Sequence, residues 1–232
     1  MLKAAFAQGR LAKDEFDARL LGTGVLLLPF HHPVGLAKRL ATIDVLSSGR
    51  MRLLTIGVGS LPGEAAAVGV DYATRGRRAD EAIDVLRALW AGDATGTSFD
   101  GEFYSFDNVT SYPKPLQMLP IHVGGSSAAA ARRAGRRGDG FFPGGRLTPA
   151  ERLAQIELMH TTALAEGRDP KVLEYTRWGS IEMERSGAEA YGYAGGAPRL
   201  GDCDYESGIG HGGGCTLAAA INRSAVIRPG SR

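Results

Sequence analysis

The chain has 232 residues, is 44% hydrophobic and carries a net charge of +2. That length supports one sizeable core, and the near-neutral balance, with no like-charge block and no aromatic-interleaved basic stripe, argues against nucleic acid as a partner. No apolar run reaches the ~18 residues of a membrane span, the first twenty residues are not a signal peptide, and two cysteines in a Gly-rich tail make neither a disulfide framework nor a metal knuckle. A reducing, cytoplasmic setting without a metal centre is therefore expected.

Residues 1–20 read as short helix, with Ala5, Phe6, Leu11, Phe16 and Leu20 able to share an apolar face. The first strand is expected at 24–28, apolar throughout, as befits a strand covered on both faces. Pro33 opens a helix where its missing N–H costs nothing. Leu36, Leu40 and Ile43 fall on one face of that helix, and Gly49 caps its end. A second strand, 52–58, runs into the loop GVGSLPGE. This is not a dinucleotide fingerprint, because the glycine spacing is wrong and Pro62 is expected to interrupt any helix start.

Residues 64–75 read as irregular, and a helix over 77–90 should bury Ile83, Leu86 and Trp90. Asp100-Gly101 signals a two-residue hairpin turn within 98–106. Three prolines then keep 109–120 extended. A third buried strand at 121–123 ends in Gly124-Gly125-Ser126-Ser127 and opens an Ala/Arg-rich helix reaching Arg137. A strand in GDGFFPGG follows. Thr148 and Glu151 form a capping box for a helix to Gly167, and a strand at 173–178 comes next. Strand–helix alternation of this kind implies parallel strands joined by right-handed crossovers. After about Met183 the chain turns Gly-rich, loses its apolar periodicity and reads as a disordered tail over 184–232.

The sharpest candidate site is Gly124-Gly125-Ser126-Ser127. Glycines let the backbone approach a phosphate, and the free N–H groups and dipole of the following helix favour negative charge. An ordinary serine-capped turn would look the same. His31 and His32 precede Pro33 at the end of the first strand and are candidate catalytic residues, against a purely structural role. Gly57 and Gly59 end the second strand in a tight turn or a ligand contact. His122 and His160 read as structural. Asp139, Arg146 and Arg177 read as surface ion pairs, and Arg132, Arg133, Arg136 and Arg137 as a basic helix face.

Six blocks in order carry a family resemblance: TGVLLLPFHHPVGLAKRLATIDVLSSGR, RLLTIGVG, GRRADEAIDVLRALW, SFDGEFYSF, PKPLQMLPIHVGG and GDGFFPG. Together, over residues about 22–183, they resemble the luciferase-like monooxygenase family of F420- and FMN-dependent TIM-barrel enzymes. The first block resembles that family's third strand–helix unit. The resemblance thus implies an α/β chain holding a partial (β/α)8 TIM barrel over 21–183, lacking the first two and the last strand–helix units. Residues 1–20 resemble part of a small actinobacterial helical domain of unknown function.

The family resemblance implies F420 as cofactor, with FMN the alternative, and hydride transfer to or from a small organic substrate. It implies that Gly124, Gly125, Ser126 and Ser127 meet the cofactor phosphate, with the basic helix face assisting. It places Gly57 and Gly59 beside the ring, and Gly24-Val25 in a bulge, often with a non-prolyl cis peptide, behind it; the residues alone also allow a regular strand. About five strands do not close a barrel, so weak or no catalysis by the chain alone is expected, with association through its open edges. The other readings are an FMN-dependent monooxygenase and a non-catalytic remnant or interaction protein.

Overall fold

The computed structural model describes residues 20–145, 147–181 and 217–222, with backbone alone for 177–181 and 217–222. The N-terminal helical reading, both cysteines, Arg146 and the side chain of Arg177 lie outside the described residues.

Strands β1 (Leu21–Leu27) and β2 (Met51–Gly57) are joined by helix α1 (Pro33–Leu46). After β2 come the short helix α2 (Pro62–Ala67), a 3₁₀ turn (Tyr72–Thr74) and the long helix α3 (Arg75–Ala91). The hairpin β3 (Thr97–Asp100) and β4 (Ser105–Val109) precedes β5 (Ile121–Gly124). Then follow α4 (Ala128–Arg137), β6 (Gly140–Phe142), α5 (Pro149–Ala165), β7 (Glu174–Ile181) and β8 (Leu217–Asn222).

The main sheet has the order β1-β2-β5-β6-β7-β8. Its first five strands are all parallel. This is a partial (β/α)8 barrel: each parallel step is closed by a helix, as the crossover rule requires. The strand β8, which the sequence pattern did not suggest, pairs antiparallel with β7. Its segment LAAAIN is too alanine-rich to announce a strand.

One face of the sheet meets the helices. Leu54, Ile56, Ile121, Val123 and Phe141 pack there with Leu36 and Leu40 of α1, Ile83, Leu86 and Leu89 of α3, Ala131 and Ala134 of α4, and Met159 of α5. Each large side chain so buried contributes about 1.5–3 kcal/mol. Period-2 alternation turns Thr55, His122, Gly140 and Glu174, which are register partners across four strands, to the opposite face.

Local chemistry corrects the sequence reading in several places. Ile43 does not sit in the core of α1; it is 42% exposed, and Asp44 is buried instead. The carboxylate of Asp44 accepts the backbone N–H of Met51 (3.3 Å) and of Leu116 (2.9 Å), which satisfies a buried charge and ties two loops to α1. Pro62 does not interrupt a helix; it occupies the first turn of α2, where proline fits. The hairpin does not turn on Asp100-Gly101. Asp100 pairs with Ser105, leaving a four-residue loop at 101–104. That loop is shaped by Glu81 of α3, whose carboxylate accepts the N–H groups of Glu102, Phe103 and Tyr104.

Candidate functional site

Because the strands are parallel, their C-terminal ends share one rim, where the loops after β1, β2, β5 and β6 converge. The ladder between β1 and β2 shifts register between Thr23 and Leu26, and the Gly24–Val25 peptide bond is cis. Of the two readings left open for this pair, the structure gives the bulge. Val25 leaves the ladder there and lies across the non-helical face of its neighbours. A Cβ built on Gly57 would stand 2.9 Å from Val25 Cγ2, and one built on Gly124 would stand 3.2 Å from Val25 Cγ1 and 2.9 Å from the Ile56 carbonyl oxygen. Glycine at both positions is thus what lets Val25 lie flat, and the three residues form one shallow floor. Val25 is 43% exposed, so this floor faces outward.

Gly59 continues the rim with φ +82°, a conformation glycine adopts without penalty. It also seats the ring of Phe30, since an added Cβ would lie 2.8 Å from Phe30 Cζ. The Gly59 carbonyl accepts from Arg75 Nε at 3.2 Å, and the Ser60 carbonyl accepts from the Tyr72 hydroxyl at 3.0 Å. These contacts pin the β2–α2 loop to the start of α3.

On the far side of Gly124, Gly125 has φ +107° and turns the chain into α4. Ser127 is the N-cap of α4, and its side chain accepts from Ala130 N–H at 3.2 Å. The hydroxyl hydrogen of Ser127 and the first N–H groups of α4 remain as donors at the positive end of the helix dipole. The Ser126 carbonyl accepts from the side chain of Gln155, which fixes this turn against α5. The arrangement can take an anion.

His32 caps the start of α1 without a side-chain cap hydrogen bond and stands exposed. Its ring meets the edge of Tyr104 at a centroid separation of 5.6 Å and 78° between planes. His31 is half-buried, and burial, then the Arg39 guanidinium, lowers its imidazole below the ordinary range. Both histidines therefore lie at the strand end, yet they are held by different neighbours. Sequence reasoning missed Tyr104. It is 6% exposed, and burial raises its hydroxyl above the usual phenol value. The only signal was an aromatic residue just past a Gly turn in GEFYSF.

Below the floor, His122 is fully buried, with neither ring nitrogen in a hydrogen bond among the described residues, and Nε2 lies 3.4 Å from Glu174 Oε2. Burial lowers its imidazole, while Glu174 and Asp139 oppose that shift. Gly140 is required beside it, because any Cβ there would run into the His122 ring.

Three of the four arginines of the basic face of α4 are engaged by carboxylates of neighbouring elements. Arg133 is 8% exposed and pairs with Asp80 at 2.6 Å; Arg137 pairs with Asp84 at 3.0 Å and Arg136 with Glu166 at 3.3 Å. Neighbouring carboxylates on α3 and beyond α5 engage these three charges; Arg132 is exposed, as is the paired Arg136. Asp139 pairs with Arg87 at 2.7 Å and accepts Ile121 N–H at the opposite end of the sheet, away from the site.

A family model for the luciferase-like monooxygenases matches residues 20–194. The chain belongs to the luciferase-like monooxygenase family. Among its relatives is the F420-dependent glucose-6-phosphate dehydrogenase of Beutenbergia cavernae, 36% identical over 200 residues, with 73% of this chain and 57% of that protein covered. Another is the FMNH(2)-dependent dimethylsulfone monooxygenase of Pseudomonas fluorescens, 37% identical over 143 residues, covering 60% of this chain and 38% of that protein. Among solved structures, the monooxygenase RslO1 from Streptomyces bottropensis superposes with a TM-score of 0.58 at 30% identity, over 67% of this chain and 48% of its own. The chain thus spans about half the length of the luciferase-like proteins it matches. Among the described residues no helix is long and apolar enough to cross a membrane, and no acidic, His or Cys group is arranged to hold a metal.

Proposed function

We propose that this chain binds the deazaflavin F420 at the rim and takes part in hydride transfer between the cofactor and a small organic substrate. The observation that carries the proposal is the floor formed by Val25, Gly57 and Gly124, with a helix N-terminus opening directly behind it. A flat ring needs a low apolar surface, and the Val25 side chain, seated on Gly57 and Gly124, supplies one. A phosphate-bearing tail needs donors, and the 125–127 turn and the first N–H groups of α4 supply them. The residues present therefore fit the group.

In this reading Gly24 and Val25 lie behind the ring, Gly57 and Gly59 flank it, and Gly124, Gly125, Ser126 and Ser127 hold the phosphate. F420, when bound, supplies the hydride chemistry itself. The protein orients the ring, excludes water on the Val25 side, and holds a proton at the imidazole of His31 or His32, whichever faces the substrate. The F420-dependent relative favours this cofactor, because its match extends over 200 residues. FMN is the second reading, favoured by the FMNH(2)-dependent relative. A third is a non-catalytic interaction protein. Edge strand β1 offers a route by which two copies associate.

Anaerobic incubation with F420 and a panel of alcohols and sugar phosphates tests the proposal. Substrate-dependent loss of the oxidised deazaflavin's visible absorption supports it. Turnover seen only with FMNH2 and O2 replaces it by the second reading, and no turnover with either favours the third.

A further inference from the structure

We infer that Glu81 is a positioning residue for His32, acting through the 101–104 loop and Tyr104. The inference rests on the rim being the cofactor site, with His32 beside it.

The Glu81 carboxylate is shared among three successive backbone donors. Glu102 N–H reaches Oε2 at 3.0 Å, Phe103 N–H lies 3.0 and 3.1 Å from the two oxygens, and Tyr104 N–H reaches Oε1 at 2.7 Å. Hydrogen bonds to an ionised acceptor are roughly twice as strong as neutral ones, so one side chain fixes the loop's backbone. The loop is built to receive it. Gly101 has no Cβ, and a Cβ there would collide with Glu81 Oε1. Arg78, three residues before Glu81 on the same face of α3, lies 4.4 Å over the Phe103 ring and adds a second hold on the loop.

The loop ends at Tyr104, and the edge-to-face contact of Tyr104 with His32 is the consequence. His32 has no cap hydrogen bond of its own to orient it, so the aromatic edge sets the plane of the imidazole. Aromatic pairs of this geometry contribute specificity beyond their buried area. An imidazole that transfers or orients a proton loses rate steeply with small misplacement, about 100-fold for 1 Å. Glu81 therefore reaches the rim through three residues without touching it.

The test uses the full chain with labelled histidine, read by NMR of the imidazole resonances, with His32 assigned by His32→Gln. Tyr104→Leu is expected to abolish the ring-current shift of His32. Glu81→Gln is expected to move the His32 signals in the same direction, with His31 and the buried His122 unmoved. If Tyr104→Leu shifts His32 while the Glu81→Gln spectrum superimposes on the wild type, the inference is overturned. It is also overturned if Tyr104→Leu leaves His32 in place. Should Glu81→Gln lose the His122 signal through unfolding, Gly101→Ala asks the same question by pushing the loop off the carboxylate. A His32 shift in that variant supports the inference, and its absence overturns it. An F420 titration of the wild type, run alongside, separates the two claims. A wild type that binds no cofactor sinks the rim reading whatever His32 does. A wild type that binds, with His32 blind to Glu81, sinks the inference alone.

Discussion

The side chain of Val25, on the edge strand, reaches past β2 to stand against Gly124 at the end of β5; an alanine Cβ at 124 would meet it at 3.2 Å. Two strands that are not neighbours in the sheet therefore meet over a third.

Gly124→Ala forces either Val25 or the Ile56 carbonyl to move. The expected cost is about 1–3 kcal/mol of stability, as for other overpacked sites, read as a lowered urea midpoint. The ring floor is also raised, and a loss of ~1.4 kcal/mol in binding is a tenfold weaker Kd for F420. Gly63→Ala, where nothing among the described residues lies within 4 Å of the new methyl group, is the control; it is expected to leave F420 binding unchanged and, because alanine suits helix α2 better than glycine, to raise stability by up to ~1 kcal/mol rather than lower it.

Arg133→Ala leaves Asp80 and the Gly76 carbonyl without their donor in a nearly closed site. Because the Asp80 side chain keeps 28% exposure, the expected cost is about 1–3 kcal/mol, whereas exposed Arg132→Ala is expected to stay within about 0.5 kcal/mol. Denaturant titration of the two variants checks this. Arg133→Ala should bind F420 as the wild type does, because Arg133 is turned to Asp80 of α3 rather than to the rim.

The buried His122 imidazole has a folded-state affinity for protons below its unfolded value of 6.5. Between the two values the unfolded chain binds more protons, so stability rises with pH there and is lost as pH falls from 6.5 toward the folded value. His31, shifted in the same direction, adds to the slope. Unfolding free energies measured from pH 5 to 8 should rise and then level above about 6.5. His122→Gln should flatten the curve in part, leaving the share of His31.

Asp44→Ala removes the acceptor for Met51 and Leu116 N–H. Each buried donor left unmatched costs about 1–3 kcal/mol, so this variant is expected to be among the least stable single changes in α1. Ile43→Ala, on the exposed side, is expected to cost far less. Thermal melts of the pair distinguish them.

Much of the fold was legible in the chain because parallel strands covered on both faces announce themselves as apolar runs. The runs ending at Gly57 and Gly124, and the capping box at Thr148 and Glu151, were placed by local chemistry alone. What escaped was nonlocal. Glu81 dictates a loop some twenty residues away, and Asp44 takes a core position that periodicity assigned to Ile43. Nothing in GEFYSF says that its tyrosine meets a histidine more than seventy residues earlier, since that contact exists only once α3 has set the hairpin beside α1. The pinned arginines of α4 likewise depend on carboxylates of α3 and on Glu166 just after α5, which a helix read by itself does not reveal.

For the chain to work as proposed, the rim must grip a flat, phosphate-bearing cofactor. Fluorescence titration of the full chain with F420 and with FMN tests that most directly. Saturable binding of F420 at micromolar Kd, weakened about tenfold by Gly124→Ala and unchanged by Gly63→Ala, is the predicted result. A folded protein that binds neither cofactor, or that binds equally well with the floor glycine replaced, would contradict it.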